Sequence, residues 1–441
     1  MVITWWKYGN AGGIGMAILS LLAFAMVESV SAQSYTGSSH GNPTSGVNRS
    51  TVTGFATGNC AHCHEQHASV GGVEPAPNTG TAAGPDIYLG FDVEQDLCYR
   101  CHGNGGEGGD TTYNIQTQFN KAYRHGRNGA AGTDYMETYD GDRHRAGENT
   151  VAAFSDGSGA LPPDNRHAEC MDCHNPHTAT AIDNADSTKG PLIGATGVDP
   201  TNSTAGLVPT GYTFVTISDA DHEYKICFKC HSDWAGTGTG TNQAEEFNPA
   251  NDGKHCVEAD KSCTPGIYST ATFNSTYVGV MMPRYNGATN ATLRSAILRC
   301  SDCHGPDNAG AAATPEGPHG STVANILKVP AGSPYTTWNA TVDYLNNSGE
   351  IWCFNCHSPN FSGTGLSNPG DGNLHLNKHD DWDCQYCHYA LPHGNTEDGT
   401  ANQRKHLLKP SVFTECVDSE TSGNYNQHSN GCGNWVIPGC T

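Results

Sequence analysis

The chain has 441 residues, with 44 Asp plus Glu against 22 Lys plus Arg. Its length allows two or three ordinary domains, but hydrophobic residues are only 36% beside 54 Gly, 19 Cys and 22 His, too little aliphatic side chain for three conventional cores. A net charge of −22 without a basic cluster argues against nucleic acid and anionic membranes as partners.

The N-terminus reads as an export signal over residues 1–32. Lys7 precedes an apolar run, Gly13–Met26, that is short for a membrane span, and Val30-Ser31-Ala32 offers small residues for cleavage. The mature chain is then 33–441, with an uncleaved anchor helix as the alternative. No Cys near the cleavage point suggests a lipid anchor, and no later apolar run approaches a span, so no membrane span is expected in the mature chain. The expected location is extracellular or cell-surface, with the periplasm as alternative; thiols need not stay reduced there.

A first unit, about 40–125, holds CAHCH (Cys60, Cys63, His64) and CYRCH (Cys98, Cys101, His102). CxxCH is the attachment pattern of haem c: two thiols bond to the porphyrin edge and the adjacent His reaches the iron. Asn114–Arg124 (NIQTQFNKAYR) is a helix candidate. A second unit, about 125–250, holds CMDCH (Cys170, Cys173, His174), a strand candidate at Thr213–Ile217, and CFKCH (Cys227, Cys230, His231).

A third unit, about 255–375, starts with Cys256 and Cys263, read as a local disulfide. It continues with a strand candidate at Tyr277–Met282 and a helix candidate at Thr292–Leu298. Then come CSDCH (Cys300, Cys303, His304) and CFNCH (Cys353, Cys356, His357). A half unit with a tail, 375–441, carries CQYCH (Cys384, Cys387, His388) and three further cysteines, Cys416, Cys432 and Cys440, which leave one over after pairing. Gly- and Thr-rich stretches such as Gly103–Thr111 separate the motifs. The predicted fold is mostly irregular and loop-rich, with few short helices and strands, organised around a row of covalent haems.

Seven copies of CxxCH in an exported chain imply seven covalently bound haem c groups, and so iron. Zinc is the alternative, but seven CxxC knuckles do not pair evenly into four-ligand sites, and zinc does not require the adjoining His. A disulfide framework gives the repeated His no role. The copies alternate. The odd ones are followed by a further His: His67, His177, His319 and His393. The even ones carry an apolar residue before the first Cys and an aromatic after it: LCYRCH, ICFKCH, WCFNCH.

Electron-transfer haems need a second axial ligand, and Met is scarce while fifteen His remain beyond the seven proximal ones. The best distal candidates are His67, His177, His319 and His393. A ligand three residues from its own proximal His cannot easily wrap the porphyrin, so His67 and His177 are expected to serve a neighbouring haem. Further candidates are His40, His125, His144, His167, His375 and His379. His62, His222, His255, His406 and His428 rank lower, with His62 expected on the solvent side of its loop.

On NRHAECMDCHNPH, LCYRCHG and FNKAYRHGR, the chain resembles the multihaem c-type cytochromes with doubled CxxCH motifs. In its loop-rich character it resembles their extracellular, filament-forming (nanowire) members. The resemblance implies stacked bis-His haems, electron transport to external acceptors, redox partners, and head-to-tail homopolymer contacts in which a His of one copy completes a haem of the next; His40 is the expected donor. No catalytic residue is assigned. The alternatives are a multihaem reductase of a small nitrogen or sulfur oxyanion and a monomeric periplasmic shuttle. A reductase wants an open iron position, and often CxxCK, which does not occur.

Overall fold

The computed structural model describes residues 34–49, 52–64, 94–103, 114–125, 168, 170–181, 188–235, 242–251, 254–261, 272–337, 351–358 and 393–394. The expected export signal, 1–32, lies outside them. The molecule is loop-rich. The longest described helix is Glu94–His102, nine residues, and the next is Ile115–Phe119. Among the described residues there are four short strands: β1 (Tyr123–Arg124), β2 (Thr196–Thr201), β3 (Gly211–Thr216) and β4 (Gly320–Ser321). They form two antiparallel ribbons, β1 with β4 and β2 with β3. Among the described residues no helix is long and apolar enough to cross a membrane.

The strand expected at Thr213–Ile217 is β3, ending one residue early at Thr216. Its partner β2, TGVDPT, gives no strand signal because it contains Gly and Pro; a two-stranded ribbon tolerates Pro200, since each strand pairs on one side only. The strand expected at Tyr277–Met282 is instead a helical turn, Val278–Met281. Val278 and Met281, three apart, share one face and are both buried in the same cluster. Helix forms over Ile115–Phe119 within the stretch expected at Asn114–Arg124, where the Asn114 side chain accepts from Thr117 N, and the chain then enters β1. The helix expected at Thr292–Leu298 is displaced to Asn290–Leu293, capped by Thr289.

No single large apolar core runs through the described residues. Val278, Met281, Met282, Leu293, Leu327, Val329 and Trp352 form one cluster, with Cys303, Cys353 and Cys356 packed on it. Val198, Tyr224, Phe228, Ala244, Phe247 and Val257 form a second, against Cys300. Ala195, Ile217 and Ile226 form a third, against Cys173. The apolar and aromatic residues that mark the fourth and sixth motifs are anchors in this scheme: Ile226, Phe228, Trp352 and Phe354 are all buried.

Candidate metal centres

Each described motif folds as one tight turn. Helices span Cys170–Cys173 and Cys300–Cys303, 3-10 turns span Cys60–His62 and Trp352–Asn355, and Cys227 ends the helix Tyr224–Cys227. In five of them the N–H of the motif His donates to the carbonyl of the first Cys: His64 to Cys60, His174 to Cys170, His231 to Cys227, His304 to Cys300 and His357 to Cys353, at 2.8–2.9 Å. Cys98, Cys101 and His102 lie in the last turns of Glu94–His102. Positions i, i+3 and i+4 share a face of such a turn. Two thiols and an imidazole therefore address one flat group from the same side.

Opposite each of these imidazoles stands a second one. Ring centroids are 5.9 Å apart for His64 and His177, 6.1 Å for His102 and His40, and 6.1 Å for His174 and His319. They are 6.1 Å apart for His231 and His125, 6.2 Å for His304 and His393, and 6.3 Å for His357 and His255. A metal–imidazole bond of about 2 Å on each side, with each centroid roughly 1.1 Å behind its nitrogen, puts two axial imidazoles about 6 Å apart. All six pairs have that separation. The residues present therefore fit a haem iron held between two His, with the motif thiols at its edge.

The second imidazoles arrive by one repeated device. Ser39 N donates to Ala179 O at 2.7 Å and His40 Nδ1 donates to Pro176 O at 3.1 Å, so His40 and His177 come from adjoining backbone. β1 pairs with β4, and His125 Nδ1 donates to Pro318 O at 2.6 Å, so His125 and His319 adjoin in the same way. Lys254 bridges Gly394, and His255 N donates to His393 O at 2.9 Å. In each ribbon, the segment leading into a two-motif unit pairs with the segment after the next odd motif. One His goes to the even site of the leading unit and the other to its odd site. In the second and third ribbons close backbone approach demands glycine after the second His: a Cβ on Gly320 would lie 1.9 Å from Gln118 O, and one on Gly394 the same distance from Glu246 O, whereas the first ribbon has Thr178 there.

Consecutive sites adjoin. The Cys63 thiol is an electrostatic neighbour of Cys98 and Cys101, Cys173 of Cys227 and Cys230, and Cys303 of Cys356. The thiols of Cys227 and Cys300 lie within 4.8 Å of each other, which brings the fourth motif to the fifth. The helix Glu94–His102 packs on Cys170–Cys173, joining the second motif to the third. The described motifs thus form a row in sequence order.

The protonation states suit ligation. Burial holds the imidazoles of His40, His125, His174 and His177 below the usual range, and brings His231, His304 and His357 to about 4 and His319 to about 3. Neutral imidazole is the form that binds a metal. Nδ1 of His174 donates to Pro191 O at 2.9 Å and that of His304 to Asn325 O at 2.8 Å, which fixes the tautomer and leaves Nε2 for the metal. Burial also pushes the Cys63 thiol up to about 11 and Cys356 to about 12, the opposite of what a zinc thiolate needs. Among the described residues one set of three ligand-type groups converges, Glu223, Cys227 and Cys300. The Glu223 carboxylate there already accepts from Ser301 N at 2.6 Å and Ser301 Oγ at 2.8 Å, tying the fourth motif to the fifth. Cys60, Cys63, Cys98, Cys173, Cys227, Cys300, Cys303 and Cys356 form no disulfide. Cys256 is disulfide-bonded, while its expected partner Cys263 lies outside the described residues.

Three expectations change. His40, expected to reach a second copy, faces His102 of its own chain. His62, expected at the solvent side, is 0% exposed, with Nδ1 accepting from Arg49 N and Nε2 beside Ala56 O, a packing role. His255, ranked low, faces His357. The signal for it was in the spacing: His255 precedes Cys300 by 45 residues, as His125 precedes Cys170. His222 stacks on Tyr224. His67, His144, His167, His375, His379, Cys384, Cys387 and His388 lie outside the described residues. Compared with family models, curated proteins and solved structures, the chain matches none.

Proposed function

We propose that the chain is a seven-haem, bis-His c-type cytochrome that conducts electrons along a haem row, is exported, and assembles end to end into a filament reaching external acceptors. The observation that carries this reading is the set of six motif imidazoles, each facing a second imidazole at 5.9–6.3 Å, in sites that adjoin in sequence order. Haem supplies one-electron cycling between ferric and ferrous iron when bound. The thiols would anchor its edge, and the motif His and the ribbon His would hold its iron between them and exclude small ligands. That exclusion disfavours the reductase alternative at the six described sites. The acidic surface favours the ferric state and so lowers potentials.

The ribbon rule supports assembly. A His following an odd motif serves the odd site two motifs earlier: His177 faces His64, His319 faces His174, and His393 faces His304. The pairs found leave two groups unassigned, His67 and the Cys384–His388 motif, both outside the described residues. A second copy brings the two together, with His67 rather than His40 as the joining ligand. The test uses holoprotein made with haem-attachment machinery. Seven haems per chain by pyridine haemochrome, no carbon monoxide response and filaments by electron microscopy are expected. His67→Ala should leave monomers that bind one carbon monoxide per chain. A wild type that stays monomeric at high concentration with all irons six-coordinate refutes assembly. A wild-type haem that binds carbon monoxide within a filament restores the reductase.

A further inference from the structure

The ligand pair of the fifth site differs from those of the third and sixth in what stands behind it. The short helix Gln243–Glu246 brings the buried Glu246 carboxylate to His393, whose Nδ1 donates to Oε2 at 2.9 Å. The ring of His393 is held further by Phe247, centroid to centroid 5.0 Å, and its backbone by His255 N and the close packing of Gly394 on Glu246 O. His304, across the same site, donates from Nδ1 to the Asn325 carbonyl. The third and sixth sites contrast with this. His319 Nδ1 and His357 Nδ1 are buried without a hydrogen-bond partner among the described residues. His174, opposite His319, donates to a neutral carbonyl.

A carboxylate that draws on the Nδ1 proton makes the imidazole a stronger donor through Nε2 and adds negative charge close to the iron. Both effects favour ferric over ferrous. We propose that Glu246 is a positioning residue that tunes the fifth site, setting it below the third and sixth in reduction potential, so that the row has a built-in step. This rests on the haem reading above. An electron travelling the row therefore meets its uphill member between the fourth and sixth sites, and the fifth iron is among the last to be reduced.

Glu246→Gln keeps an oxygen that can accept from His393 and removes the charge, so it separates tuning from packing. Spectroelectrochemical titration of the wild-type and E246Q holoproteins is the test, with the fifth site identified as the component missing from C300A/C303A. In E246Q that component should become at least about tenfold easier to reduce, 59 mV for a one-electron couple, with the others in place and the low-spin spectrum kept. Glu246→Leu, which also removes the hydrogen bond, should shift it at least as far. An unmoved fifth component in an E246Q protein with wild-type haem count and spectrum overturns the proposal. A wild type lacking haem or six-coordinate iron overturns the functional reading instead.

Discussion

Removing His319 tests the interleaved ligation directly. Its motif neighbour is His304, fifteen residues upstream, yet its ring faces His174, 145 residues upstream, at 6.1 Å and 26° between planes. The ring also contacts Phe119 at 5.6 Å, so its position is fixed by packing. His319→Ala deletes one axial ligand and opens the space of one imidazole, enough for a diatomic molecule. The expected magnitude is one carbon monoxide per chain, a seventh of the total haem, against none in the wild type. Two backgrounds locate it. In C170A/C173A, which lacks the third haem, H319A should add no carbon monoxide binding. In C300A/C303A, which lacks the fifth, it should still add one. The reverse pattern, binding abolished with the fifth haem and kept with the third, would show that His319 serves its own motif and would refute the ribbon rule.

Other consequences follow from the same geometry. Ring planes are 14° apart for His64 with His177 and 88° apart for His40 with His102, so electron paramagnetic resonance should give a rhombic low-spin signal for the first site and a strongly axial, large-g signal for the second; the same signal for both would contradict the pairs. Arg284 and Asp302 form a two-pronged ion pair at 2.5 and 2.6 Å with side chains 3% and 2% exposed, and Asp302 also accepts from Arg299 N. Asp302→Asn leaves a buried guanidinium uncompensated and should cost about 3–5 kcal/mol in denaturant titration, whereas Arg284→Met with Asp302→Leu leaves no unpaired charge and should cost less. Glu258 is buried, accepts from Asn202 at 2.7 Å, and is pushed by burial up to about 8 from an ordinary 4.5. The folded state then keeps a proton that the unfolded state loses, so stability is full below about pH 4.5, falls as pH rises to about 8 and then levels. Glu258→Gln should flatten that slope in melts taken across the window, and an unchanged slope would count against the burial argument.

Much of the site was legible from local rules. CxxCH needs one helical turn to bring two thiols and an imidazole to a face, and that information lies within five residues. The aromatic and apolar residues of ICFKCH and WCFNCH announce buried anchors in the same local way. What was not legible is which imidazole meets which. That choice is made by backbone pairing between segments such as Tyr123–Arg124 and Gly320–Ser321, two residues long and without strand character. His255 shows the limit: nothing around it marks a ligand, and its spacing gains meaning only once His125 is known to lie at the same offset. The Pro before His177, His319 and His393, absent before His67, was visible too. Its use, offering a carbonyl to the adjoining ribbon His, His40 at Pro176 and His125 at Pro318, emerged from the fold.

The ribbons also bear on how so polar a chain holds together. With irons seated, the six ligand pairs become cross-links closing loops 40–102, 64–177, 125–231, 174–319, 255–357 and 304–393. Closing a loop of about 100 residues removes on the order of 4.7 kcal/mol of unfolded-state entropy, though overlapping loops do not add. Each loop opens before the preceding one closes. Every peptide bond from residue 40 to residue 393 is therefore bridged by at least one coordinate cross-link, and a single protease cut anywhere in that span leaves both fragments fastened to each other. On the proposed haem reading the molecule would be built like chain mail, with integrity that does not depend on an unbroken backbone.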